Sequence, residues 1–288
     1  MNIGALVAKN KNPPQVERSS CILSYVQFRL WFIGEKNMEE FVNTLITRGK
    51  ELLVQPYQRV EFTRNNEADD LLNDIRNYPH AFVLGCVMDR QIKAERAWLI
   101  PYEISREIGS FEFLTLCLLD LDKIREIFVA RSLHRFNDIM AKNFYWVVQK
   151  IHEKYNDDAT NIWRDTPKSA GVVRRFLQFK GVGIKIASMA ANILARDFKI
   201  PMTDKLCIDV SPDIQVKRVF IRLGLIDNDA TNDELIYCAR ELYPEYPGIF
   251  DFSAWEIGRN WCRPKEQSCE KCYLGSYCPK VGASRNSR

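Results

Sequence analysis

Four of the chain's nine cysteines crowd into a stretch of seventeen residues, Cys262 to Cys278, inside the segment NWCRPKEQSCEKCYLGSYCP that runs from Asn260 to Pro279. Cys262, Cys269, Cys272 and Cys278 follow C-x6-C-x2-C-x5-C. One Cys-x-x-Cys pair is thus flanked by two outlying thiols, unlike the paired Cys-x-x-Cys knuckles common in structural zinc sites. That asymmetry favours a [4Fe–4S] cluster, because thiolates at these separations can wrap a compact cubane while Gly275, Pro264 and Pro279 supply the turns. Zinc held by four thiolates is the competing assignment. Two disulfides are disfavoured, since the chain shows no secretion signal.

This spacing, reached through Gly258-Arg259-Asn260-Trp261-Cys262, resembles the iron–sulfur loop of the endonuclease III family of DNA glycosylases. The resemblance implies a two-lobed all-α fold with a [4Fe–4S] cluster in a lobe that faces DNA. It also requires a helix-hairpin-helix and a catalytic aspartate upstream.

Residues Arg174 to Arg196 (RRFLQFKGVGIKIASMAANILAR) read as helix, Gly-Val-Gly turn, helix. Gly181 and Gly183 permit a tight turn and let backbone N–H groups at the positive end of the second helix approach a phosphate oxygen. Glycine is common in helical hairpins generally. Here it comes with Ala187, Ser188, Ala190 and Ala191, which allow close packing of the second helix. Lys180 stands where the family usually has proline and offers a phosphate contact of its own. Lys185, two residues beyond Gly183, coincides with the lysine nucleophile of bifunctional glycosylases. Taken alone it would read as a solvated lysine. Catalysis needs its neutral amine, which burial against an apolar wall near a positive helix end would favour.

Asp213-Ile-Gln-Val-Lys-Arg-Val219 resembles the family's Asp-x-x-x-x-Arg-Val segment, which makes Asp213 the implied catalytic carboxylate. The plain alternative is an N-cap for a helix whose apolar face is Val216, Val219, Phe220 and Leu223, and the two roles are compatible. Asp209 and Asp204 are rivals, with Asp209 ranked second. Upstream, an apolar helix through Phe82, Val83, Cys86 and Val87 runs into Met88-Asp89-Arg90-Gln91. Gln91 stands where the family's Ser-Ala-Gln-like step supplies a glutamine that fills the space left by a flipped base. The adenine-mismatch branch carries Glu where Cys86 stands and Tyr or Ser where Lys185 stands, so that branch is disfavoured.

The rest of the chain is consistent with a protein of this kind but does not specify it. Its 288 residues suffice for one large or two modest domains. A net charge of +4 permits an acidic polymer partner without demanding one. Cys21, Cys86, Cys117, Cys207 and Cys238 lie in apolar settings and predict buried, reduced thiols in a cytoplasmic protein. His80, His134 and His152 show no metal-ligand spacing. Helices are predicted from Met38 to Pro56, Asp69 to Asn77, Phe82 to Met88, Ala94 to Ile108, Phe111 to Leu118, Leu121 to Ala130 and Arg135 to Tyr155. A capping box at Thr231 and Glu234 opens another through Leu242, and Phe250 to Trp261 leads into the cysteine loop. Residues 1–37 form an arm with no recognised role, in which the aromatic run Cys21 to Gly34 is too short to span a membrane; Met38 is an alternative start.

The expectation is therefore a six-helix lobe over 81–205 and a cluster lobe made of 38–80 and 206–288. Double-stranded DNA with a damaged or modified base is the implied partner, bound by a monomer. The implied activity is that of a base-excision glycosylase, bifunctional through Lys185 and Asp213, with Lys265 and Lys271 on phosphates and an oxidised base as the default substrate. A monofunctional uracil or alkylated-base glycosylase and a non-catalytic DNA-binding protein are the alternatives.

Overall fold

Helix α3 (Pro79–Met88, PHAFVLGCVM) has no polar face, and all ten of its residues are buried. A helix that is apolar all round must be surrounded. Pro79 opens it at a position where the missing N–H costs nothing. Against it pack α2 (Asn66–Asn73), α4 (Ala94–Ile108), α7 (Asn137–Tyr155) and α9 (Ile184–Arg196). The computed structural model that shows this describes residues 35–282; the arm over 1–20, the run Cys21 to Gly34 and Cys21 itself lie outside the described residues.

The remaining helices are α1 (Glu35–Val54), α5 (Phe113–Cys117), α6 (Leu121–Ala130), α8 (Ser169–Leu177), α10 (Ile214–Arg222), α11 (Asn232–Leu242) and α12 (Ile249–Asn260). Among the described residues there is no strand, only an isolated antiparallel bridge between Cys262 and Gln267. The protein is all-α, as its sequence predicts. No helix among the described residues is long and apolar enough to cross a membrane.

Two sets of contacts organise the fold. Helices α3, α4, α7, α8 and α9 form one, while α1 lies on α12 and α12 on α10 in the other. Helix α2, grouped by sequence with α1, packs instead on α3 and α4. One contiguous apolar core runs through both sets. His80 sits inside it, with Nε2 2.8 Å from the Phe111 carbonyl and its ring stacked on Phe111; burial pushes it down to about 4, so it is a neutral core histidine.

Not every cysteine follows the expectation of burial. Cys86 is buried and Cys117 and Cys238 are half-buried, but Cys207 is exposed. It lies in the irregular segment between α9 and α10, where the neighbouring apolar side chain Leu206 is also 55 % exposed.

Gly85 lets α4 reach α3. A Cβ there would lie 2.5 Å from the Trp98 ring, which itself stacks on Phe62 with centroids 4.4 Å apart. Gly85→Ala is expected to destabilise the fold by about 1–3 kcal/mol despite alanine's better helix propensity, because overpacking outweighs it. A lowered urea midpoint with unchanged slope checks this.

Candidate active site

Helix α8, the turn Gln178–Gly183 and α9 form the hairpin that the glycines predict. Gly181 has φ +89°, in the left-handed region, and a Cβ there would press on the Asn143 amide and the Arg90 guanidinium. Gly183 is different: it is exposed, has extended φ, and an added Cβ would meet nothing within 4 Å. It is the N-cap of α9 and offers no side chain to the first-turn N–H groups, so that end of the helix is open to an anion. Lys180 is exposed beside it. The bend between α3 and α4 lies next to the turn, since Arg90 reaches Gly181 from it. Gln91 sits in this bend, exposed and at φ +52°.

One step along α9 from the open N-terminus, Lys185 lines a cavity of about 390 Å³. Asp213 lines the same cavity, as N-cap of α10, where its Oδ1 accepts from the Gln215 N–H at 2.7 Å. The expected cap and the carboxylate at the cavity are thus one residue. Phe62, Trp98 and Trp255 contribute aromatic wall. Lys185 is half-buried, and beside the apolar residues of the cavity Asp89, Glu95 and Asp251 also face it.

Asp89, at the C-terminus of α3, has its carboxyl pushed up by burial and, to a lesser degree, by Asp213 and Glu95, while Lys185 opposes the shift. Asp251, in the first turn of α12, is pushed up to about 7, chiefly by burial. Its oxygens accept from the Ser211 N–H at 2.8 and 3.0 Å and from Asn192 Nδ2 at 2.8 Å. Asn192 completes the node by accepting from the Tyr246 hydroxyl at 2.9 Å. Chain positions 192, 211, 246 and 251 are thereby locked together directly before Asp213. Neither Asp251 nor Asp89 is among the residues that the sequence singles out. No spacing signal marks either, because tertiary packing alone brings them to Lys185.

The rivals of Asp213 have other partners. Asp209 is buried and forms a two-pronged ion pair with Arg240, at 2.6 and 2.8 Å. Asp204 accepts from Ser169 Oγ and, at 3.3 Å, from Thr203 Oγ1. Neither faces the cavity.

Helix α10 also holds the cysteine loop. Arg218 Nε donates to the Cys262 carbonyl at 2.7 Å, and its Nη2 donates to the Gly258 carbonyl at 2.9 Å. One turn on, the buried Arg222 donates to the Arg263 carbonyl at 2.8 Å and reaches Cys262 Sγ at 3.1 Å. Gly275 is obligatory in the wrap, since a Cβ would stand 1.9 Å from the Cys269 carbonyl. Burial pushes Cys272 up to about 11, and the charges of Cys262, Cys278 and Cys269 raise it further. Burial and these neighbouring charges disfavour free thiolates, so ionised sulfurs here would need a cation among them. Among the described residues, however, only Cys117, His152 and Asp157 form a trio whose ligand atoms lie within 4.8 Å of one another. In the separate trio, His152 Nδ1 and Asp157 Oδ1 are hydrogen-bonded at 2.6 Å, a proximity that linear spacing does not reveal.

No family model matches the chain. It is similar to Endonuclease III of Thermotoga maritima, with 31 % identity over 107 residues, or 37 % of this chain. The match spans 45 % of that protein's length, less than half of it. In three dimensions the chain is similar to a trapped endonuclease III–DNA covalent intermediate, an estranged-adenine complex. The TM-score is 0.56 at 16 % identity, covering 84 % of this chain and 96 % of that one. The fold is that of endonuclease III. A non-covalent endonuclease III–DNA complex gives a TM-score of 0.56 at 17 % identity, and a thermostable thymine-DNA glycosylase 0.54 at 16 %. Each covers 84 % of this chain and 95 % of its own. Within this endonuclease III-like fold, Lys185 and Asp213 line one cavity.

Asp251 makes stability depend on pH. Its folded-state value lies above that of an unfolded aspartate, so the unfolded chain releases this proton first and stability falls as pH rises from about 4 to about 7. Asp251→Asn is expected to remove that decline, on the order of a few kcal/mol, in urea titrations run at intervals across the window. An unchanged slope of stability against pH would show that the carboxyl is already ionised when the protein folds.

Proposed function

We propose that the chain is a DNA base-excision glycosylase with an associated lyase step, acting on a damaged base turned out of the duplex into the cavity. What carries the reading is that Lys185 and Asp213 face a single cavity of about 390 Å³, within the usual range for small-molecule sites. A base inside the stack is unreachable, so the target nucleotide must leave the helix. The hairpin, through Gly181, Gly183 and Lys180, binds a phosphate and fixes the register, and Gln91 fills the gap in the stack. DNA crosses between the α3/α4/α9 side and the α10/α12 side.

Lys185 attacks C1′ with its nitrogen lone pair as the glycosidic bond breaks and that bond's electrons leave with the base. Asp213 stabilises the positive charge that develops on the sugar. Loss of the ring oxygen's bond to C1′ then gives a Schiff base, and removal of a proton from C2′ expels the 3′ phosphate by β-elimination. Cys262, Cys269, Cys272 and Cys278 would hold a [4Fe–4S] cluster, whose chemistry here is to neutralise four thiolates and brace their loop. The exposed Lys265 and Lys271 on that loop then meet phosphates, each adding to the salt dependence of binding.

Two experiments test this. Borohydride added during turnover on duplexes carrying oxidised, alkylated or deaminated bases is expected to join the protein covalently to DNA, and Lys185→Ala to abolish the adduct. Asp213→Asn keeps a capping side chain and is expected to slow base release by on the order of 10² to 10³-fold. Base release without an adduct would identify a monofunctional enzyme, and no release from any substrate would leave a DNA-binding protein. Separately, the purified protein is expected to be yellow-brown with about four irons per chain. Cys269→Ser is expected to bleach it; a colourless protein with one zinc would reject the cluster.

A further inference from the structure

The hairpin turn lies along α7, residue by residue. Phe179, 2 % exposed, stacks on Tyr155 with ring centroids 6.1 Å apart and anchors the turn. Lys180 holds its ammonium 5.7 Å from the centre of the Trp146 ring. Gly181 approaches Asn143, three residues before Trp146 on the same face of the helix. The anchor is buried, but Trp146 is 48 % exposed.

The cations beside this ring are Lys180 and, one turn along α7, Lys150, with the exposed Glu153 a further turn along the same face. Lys154 follows Trp146 by two turns. Arg174, in the last turn of α8, is exposed and close enough to Tyr155 to influence its ionisation. Asp138 on the same helix is already paired, with Lys142 at 2.7 Å and Arg125 at 2.9 Å. A half-exposed aromatic ring flanked by Lys180 and Lys150 suits a partner that offers a flat ring and a phosphate together. An unpaired nucleotide has both; a protein surface rarely does.

We propose that Trp146, with Lys180 and Lys150 beside it, forms a second nucleic-acid subsite, a platform on which an unpaired base of single-stranded DNA stacks where the strand runs on past the hairpin. The proposal rests on the reading that the hairpin binds a DNA phosphate. A base inside a duplex has both faces covered by its neighbours, so the platform selects DNA whose pairing ends nearby, as at an overhang or gap. Lys180 is on a flexible, exposed side chain and moves from the ring to the adjoining phosphate. Stacking of this kind tolerates any sequence, because every base has a π-face.

The test compares the full-length protein's affinity for a blunt lesion-bearing duplex with its affinity for the same duplex carrying a short thymine overhang at either end. The native protein is expected to favour one of the overhang duplexes on the order of tenfold. Trp146→Ala is expected to bring the two affinities together, whereas Trp146→Phe keeps most of the difference. Circular dichroism melts of both variants confirm folding. Equal affinity of the native protein for blunt and overhang duplexes overturns the platform, as does an unchanged preference in Trp146→Ala. Gly183→Ala, where the added methyl meets no protein atom, separates the two readings. An equal loss on all duplexes supports the hairpin's role. No loss, with a Trp146-dependent preference intact, overturns the hairpin as phosphate site and leaves the platform standing.

Discussion

A helix without a polar face has to be covered on every side, and α3 imposes that demand on the rest of the chain. Four helices meet it, and their arrangement fixes where everything polar can go. Because α3 is buried up to Met88, the first residue beyond it is Asp89, half-buried at the cavity. The bend that follows carries Gln91 outwards beside the hairpin turn. Thus the same burial that stabilises the core also determines which residues stand at the cavity's edge.

The segment that carries Asp213 depends on polar contacts. Asp251 gathers hydrogen bonds from the segment before Asp213 and from α9, the helix that bears Lys185. Such a node is demanding, since each member left without its partner would be costly in the interior. Its return is positional: the helix carrying the amine and the segment carrying the carboxylate are tied to a single carboxyl group. Arg218 and Arg222 extend the linkage to the cysteine loop, so the loop and Asp213 lie at the two ends of one nine-residue helix.

Helices were legible in the sequence wherever local chemistry set their limits. Ala94–Ile108 and Leu121–Ala130 begin and end as predicted, and the Thr231/Glu234 capping box is present. The hairpin was legible because its glycines have a local reason, at least at Gly181. Contacts over long separations were not. Nothing near Asp251 in sequence shows that Ser211 and Asn192 will be its donors, and no spacing shows that Arg240 will claim Asp209. The placement of α2 against α3, rather than with α1, is a matter of which apolar faces meet, and α2 is too short for its pattern to decide.

Gly258 lies in α12 where that helix crosses α10, and a methyl group there would stand 2.8 Å from the Gln215 Cβ and 3.1 Å from its carbonyl oxygen. Two backbones in direct contact leave no slack, so the crossing behaves as a fulcrum. Gln215 is only two residues from Asp213. Enlarging residue 258 would pivot the start of α10, and the motion would emerge at the carboxylate, although the altered residue makes no contact with the cavity. Tolerance to substitution in this protein is therefore set by leverage as much as by distance from the chemistry.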